Sequence, residues 1–118
     1  VNLAAKFSQV EGPWRPAIVG ELNGQYVKVA RFKGDYVWHC HEQEDELFFV
    51  VDGQVRIELR DRTVELHPGE FFIVPQGVEH RPASDNGANV LLFEPATTRS
   101  TGNTESLHTI EATDLPRL

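Results

Sequence analysis

The chain of 118 residues has no methionine and a single cysteine, and it contains no basic run and no long apolar stretch. Each absence removes a class of reading. One cysteine cannot form an internal disulfide, which fits a reducing compartment and makes the cytoplasm the expected location. The longest apolar run, Leu47–Val51, is the length of a strand and far short of a membrane span. No basic-then-apolar leader opens the sequence, so nothing in it signals secretion. Without methionine, Val1 does not read as an initiator residue, and a processed or trimmed start is expected. The formal net charge of −7, with lysines and arginines dispersed, makes nucleic acid and anionic membranes poor partners. Internal repeats are absent too.

What is present is the composition of one ordinary globular domain spanning 1–118, 40% hydrophobic and 25% charged, long enough for one proper core. Residues 2–10 read as a short helix capped by Asn2, with Leu3, Phe7 and Val10 on one side. Gly12-Pro13 ends it, and Trp14 is expected to pack this N-terminal cover, residues 1–16, onto the body. From Ala17 the texture changes to strands. AIVGEL and QYVKVARF flank Asn23-Gly24, a favoured two-residue hairpin turn. YVWHCH, ELFFVV, QVRIELR, TVEL, EFFIV, VEHRPA and VLLFE follow, separated by Asp52-Gly53, Asp61-Arg62, Pro68-Gly69, Pro75–Gly77 and Asp85–Asn89. About eight or nine short strands with no helix between them predict an antiparallel, all-β sandwich or barrel over residues 17–95.

Two features bear on the edges of that core. ELFFVV and FFIV are apolar on both faces, whereas a strand with one solvated side has one polar face. A cover from the terminal segments or from a second subunit is therefore expected, and a homodimer built on an extended sheet is the favoured form. After Pro95 the chain turns polar. Residues 96–118 read as an extended arm anchored by Leu107, Ile110 and Leu115, the alternative being disorder from about Thr97.

The chemistry concentrates in GDYVWHCHEQEDELFFVVDG, residues 34–53. On a strand, His39 and His41 share a face and Cys40 takes the other. Glu42–Asp45 is polar enough to be a turn, and Glu46 opens the return strand where it can close on the imidazoles. Two nitrogens and a carboxylate oxygen with open positions suit a first-row transition metal. A second stretch, GEFFIVPQGVEH, places His80 just after a Pro75–Gly77 turn.

Together the patterns G-x4-H-x-H-x4-E-x6-G and G-x5-P-x-G-x2-H closely resemble the paired motifs of the cupin family of small jelly-roll barrels. The resemblance covers Gly34 to about Ser84. It implies a jelly-roll barrel with His39, His41, Glu46 and His80 as metal ligands. It departs from the usual pattern in two places: one residue fewer separates Gly34 from His39, and Ser84 stands where an asparagine is common. The six-residue spacing to Gly53 selects Glu46 over Glu42, Glu44 and Asp45, which read as a solvated rim. His67 and His108 read as surface residues and Cys40 as a packed thiol.

Three imidazoles and one carboxylate suit a divalent Fe, Mn, Ni, Cu or Zn ion, without choosing among them. By alternation Phe48, Val50, Phe72 and Leu92 are expected walls of an apolar cup. Lys28, Arg31, Arg56 and Arg81 are candidate anchors for an anionic group, the plainer reading of each being a surface charge. No separate general base stands out. The resemblance implies a metal-dependent enzyme acting on a small oxygenated molecule, of the dioxygenase, isomerase or epimerase, decarboxylase or cyclase type. The retained carboxylate argues against a thiol dioxygenase, a group of cupins that holds iron through three histidines alone. The alternative is a non-catalytic module that binds a metal or small ligand. A fused DNA-reading regulator finds no helical arm in this chain, and a seed-storage role fits poorly with intact ligand positions.

Overall fold

The computed structural model describes residues Val1–Leu118. A single short helix, α1 (Leu3–Phe7), precedes seven strands: β1 (Ala17–Leu22), β2 (Gln25–Asp35), β3 (Glu46–Gly53), β4 (Val55–Leu59), β5 (Thr63–Leu66), β6 (Phe71–Val74) and β7 (His80–Pro95). Every strand pairing is antiparallel. The sheet runs β1-β2-β7-β3-β6, with β4 joined to β7 and carrying β5. The first half of β7 pairs with β4, from Leu59↔His80 to Arg56↔Ala83. Its second half pairs with β3, from Gly53↔Ala88 to Leu47↔Phe93, while β2 backs nearly the whole strand. The sheet thereby folds over itself into two facing layers. This is the jelly-roll arrangement, antiparallel and mostly β, in a barrel that is not fully closed.

Local chemistry accounts for the elements. Asn23 and Gly24 both take positive φ, 51° and 76°, the geometry a two-residue hairpin turn requires. Asn2 caps α1 by accepting from the Ala5 N–H at 2.9 Å, and the helix is shorter than the nine-residue segment expected. Its continuation tightens into i→i−3 bonds at Gln9 and Val10 before Gly12-Pro13. Phe7 and Val10 still bury against Val29 of β2. Inward-facing Phe48, Val50, Val55, Ile57, Val74, Val90 and Leu92 form the main core, each contributing on the order of 1.5–3 kcal/mol by burial. Trp14 belongs to that core, stacked 4.5 Å from both Phe32 and Tyr36.

Three expectations change. YVWHCH is not a strand: between β2 and β3 only His39 forms an isolated bridge, to His80. VEHRPA and VLLFE are not separate strands across an Asp85–Asn89 turn, because β7 runs through that stretch. Gly87, at φ 95°, and register shifts in β2 and β3 let the strand bend there without leaving the sheet. Finally, Leu107 is fully exposed and anchors nothing. The C-terminal segment is fixed instead by buried Thr98 and Thr101 and by backbone bonds joining Pro116 and Leu118 to Ile18. No helix is long and apolar enough to cross a membrane.

Candidate metal centre

The segment between β2 and β3 holds its histidines without regular pairing, so its fastenings matter. Tyr36 donates its N–H to Pro82 O at 2.9 Å, and His39 and His80 exchange backbone bonds of 3.1 and 2.9 Å. Gly77 donates to His41 O at 2.8 Å, and Gln76 N–H reaches the Asp45 carboxylate at 2.8 Å. From the C-terminal segment, Asn103 Oδ1 accepts from Cys40 N–H at 3.0 Å while its own N–H donates to Cys40 O at 3.0 Å. The loop is held from both sides. Glu46 then starts β3 on the inward face with Phe48 and Val50, where alternation put it.

Those constraints bring His39, His41, Glu46 and His80 together, their donor atoms all within 4.8 Å of one another. All four are buried, His80 completely. His41 Nε2 lies 3.2 Å and His80 Nε2 3.4 Å from the same oxygen, Glu46 Oε1. Two ring orientations are set by backbone acceptors. His39 Nδ1 lies 2.8 Å from Val37 O and His80 Nδ1 lies 3.0 Å from Val78 O. A carbonyl only accepts, so in each ring Nδ1 carries the hydrogen and the Nε2 lone pair faces the cluster. Both His41 nitrogens, Glu46 Oε1 and His80 Nε2 are buried without a hydrogen-bond partner. Lone pairs left this way are costly unless a cation meets them. The donor set fits a divalent first-row metal ion.

Electrostatics agree with that use. Burial, with His80 adding to it, lowers His39 to a pKa of about 4, keeping it neutral. Burial would also lower His41, but the adjacent Glu46 carboxylate outweighs it and the net shift is upward. Glu46 is itself pulled upward by burial, yet contacts with Glu94, His41 and His80 hold it well below the usual carboxylate range.

Beside the cluster lies a cavity of about 30 Å³ bounded by His39 and Glu46 at one edge. Its walls are Trp14, Phe32, Tyr36, Phe48 and Leu92, with Lys28, Glu94 and Ser100 as polar members. Burial lifts the Tyr36 phenol to a pKa of about 12, opposed by a hydrogen bond with Ser100, so it stays neutral. Glu94, next to the Glu46 charge in a buried site, is pushed well above its ordinary range by burial first and by Glu46 second.

Of the expected walls, Phe48 and Leu92 line the cavity; Val50 sits deeper in the core, and Phe72 packs on that core away from the cavity. Of the four candidate anchors, Arg31 donates to Phe7 O, and Arg56 and Arg81 pair with Asp35, Glu58 and Asp85 in a peripheral network. Lys28 is the reverse of a surface charge, 1% exposed and 2.8 Å from Glu94. Glu94 went unnoticed in the sequence. Its signal was a carboxylate on the inward face of VLLFE, in phase with Val90 and Leu92. Glu42 and Asp45 are exposed, and Glu44 accepts from Thr97, so none competes with Glu46. Cys40 is a buried free thiol.

Residues 28–94 match the family described as Cupin domain. The chain is a cupin. Its match with the uncharacterized YdbB protein of Bacillus subtilis (strain 168) is 34% identical over 84 residues, covering 70% of this chain and 74% of that one. A cupin-2 domain protein from Shewanella frigidimarina superposes with a TM-score of 0.79 at 35% identity, over 80% of this cupin and 93% of the other. Protein NMB1881 from Neisseria meningitidis gives 0.75 at 31% identity, over 80% and 97%.

Proposed function

We propose that this cupin is a metal-dependent enzyme acting on a small oxygenated molecule, with His39, His41, Glu46 and His80 as ligands to one divalent Fe, Mn, Ni, Cu or Zn ion. The observation that carries the reading is the convergence of four buried donor groups within 4.8 Å, with atoms of His41, Glu46 and His80 left without hydrogen-bond partners. When bound, such an ion supplies Lewis acidity toward a substrate oxygen or a site for redox chemistry. The protein's own groups do the rest. Val37 O and Val78 O hold the His39 and His80 rings with Nε2 presented inward. Trp14, Phe32, Phe48 and Leu92 give the adjacent cavity apolar walls. Tyr36, neutral at physiological pH, offers a phenol hydrogen at the cavity wall.

The reaction belongs to the dioxygenase, isomerase or epimerase, or cyclase types. Its setting in this proposal is the cytoplasm, as one domain spanning 1–118 that assembles as a homodimer. The decisive measurement is elemental analysis of protein purified without added metal, compared with His41→Ala. Near-stoichiometric metal in the unsubstituted protein and at least a tenfold drop in the variant are expected. Absence of metal from the unsubstituted protein, whichever metal is supplied during growth, would refute the reading.

A further inference from the structure

The cavity beside the cluster contains a charged pair that metal binding does not use. Lys28 and Glu94 face inward from β2 and β7, 1% and 3% exposed, and join through Lys28 Nζ and Glu94 Oε1 at 2.8 Å. Burying two charges is expensive even when they are paired, and an apolar pair of similar volume often serves stability as well or better. The pair therefore points to a use other than packing. The second Glu94 oxygen, Oε2, is buried and has no hydrogen-bond donor, and Glu94 lines the cavity. Whether Glu94 is ionised or protonated, it retains an oxygen able to accept from a hydroxyl.

The same inventory says what the ligand lacks. Lys28 is the one cationic side chain on the cavity wall, and its ammonium already donates to Glu94 Oε1 at 2.8 Å. Arg31, Arg56 and Arg81 are engaged elsewhere. The wall away from His39 and Glu46 is otherwise aromatic and aliphatic apart from the uncharged hydroxyls of Ser100 and Tyr36. A phosphate or second carboxylate placed there would be desolvated with no cationic group but a lysine already held by Glu94. The space is also small, since about 30 Å³ corresponds to roughly two water positions, enough for the hydroxymethyl end of a ligand whose remainder extends toward the His39 and Glu46 edge.

We propose that this cavity takes a small uncharged molecule bearing a hydroxyl group, which donates to Glu94 while Lys28 holds the Glu94 carboxyl in position. This deepens the metal-centred reading: the ligand's other oxygen lies toward the His39 and Glu46 edge, and its hydroxyl lies at Glu94. Glu94 is thereby a residue that selects for a hydrogen-bond donor, and Lys28 is a positioning residue.

The test uses zinc-loaded protein and ligand-observed NMR titration with three ketones. These are hydroxyacetone, butanone (methyl in place of the hydroxyl) and hydroxyacetone phosphate (the hydroxyl esterified). Hydroxyacetone is expected to bind about tenfold or more tightly than butanone, as suits satisfying a buried acceptor that is otherwise unpaired, and the phosphate ester more weakly than either. In Glu94→Leu, which removes the accepting oxygen, the preference over butanone should fall at least fivefold. Because that variant leaves Lys28 buried and unpaired, the double variant Lys28→Met with Glu94→Leu serves as the folded control. It should keep its zinc and bind hydroxyacetone and butanone within twofold of each other. Equal binding of those two by the unsubstituted protein, tight binding of the phosphate ester, or an unchanged preference in the double variant would overturn the proposal. Zinc content measured on the same samples separates the outcomes. A flat preference in fully loaded protein removes this inference alone, whereas failure to load removes the metal-centred reading with it.

Discussion

His39 shows how a single residue couples the site to stability. Its folded pKa of about 4 lies below its ordinary 6.5 because burial, and then His80, disfavour the charged ring. Between those values the unfolded chain binds a proton that the folded one does not. Stability therefore rises with pH across that window and is lost as pH falls from 6.5 to about 4. For a residue only 2% exposed, the full window is worth on the order of 3 kcal/mol. Urea unfolding of chelator-treated protein at pH 7 and pH 4.5 should show the native chain losing about 2 kcal/mol more than His39→Gln over that interval. Equal losses would mean His39 is protonated in the folded state. This residue was legible in the sequence because His39, His41, Glu46 and His80 are chemically distinctive and stand at fixed spacings from glycines and a proline. Glu94 was not. A carboxylate closing a strand resembles any solvated strand end until its partner is known, and Lys28 lies 66 residues away in the chain.

Elements were read well where local chemistry decided them and poorly where tertiary pairing overrode it. Asn23-Gly24 turned as expected because both residues accept positive φ. Asp85–Asn89 has equally turn-prone residues, yet β2 pairs along β7 on both sides of it and keeps the strand continuous. In the C-terminal segment Leu107, Ile110 and Leu115 read as anchors, yet Leu107 is fully exposed. The segment's attachment is made by hydrogen bonds instead: Thr97 to Glu44 at 2.8 Å, Thr104 to Trp38 O at 3.2 Å, and Asn103 with Cys40. Gly102 is the closest approach. At φ 53°, a Cβ there would lie 2.1 Å from Cys40 O and 3.2 Å from His39 Cδ2. Gly102→Ala should therefore lift this strap from the histidine loop while the distant core stays folded. Stopped-flow transfer of zinc to a chromogenic chelator should be at least fivefold faster in the variant, with a far-UV spectrum unchanged. An unaltered transfer rate would show that the strap does not restrain the metal loop.

At the scale of the whole molecule, the face of the sheet turned away from the site explains the doubly apolar strands. Register pairing aligns two rows across β6, β3 and β7: Ile73–Leu47–Phe93 and Phe71–Phe49–Leu91. Phe71 and Ile73 are 58% and 47% exposed, and the other four are half-buried. Neither row contains a charge, in a chain whose formal net charge is −7. Two copies can meet there without desolvating an ion. A twofold pairing of this face with itself needs only one self-complementary surface, which is why a second copy is the expected occupant. Light scattering coupled to size exclusion should give twice the 13.3 kDa chain mass at micromolar concentration. Phe71→Glu with Ile73→Glu, both at outward-facing positions, should return it to a monomer that keeps its secondary structure and its metal. A native chain that elutes as a monomer at tens of micromolar would refute the assembly and leave the face to another cover. The proposed metal site, built entirely from buried residues of one chain, should load in either form.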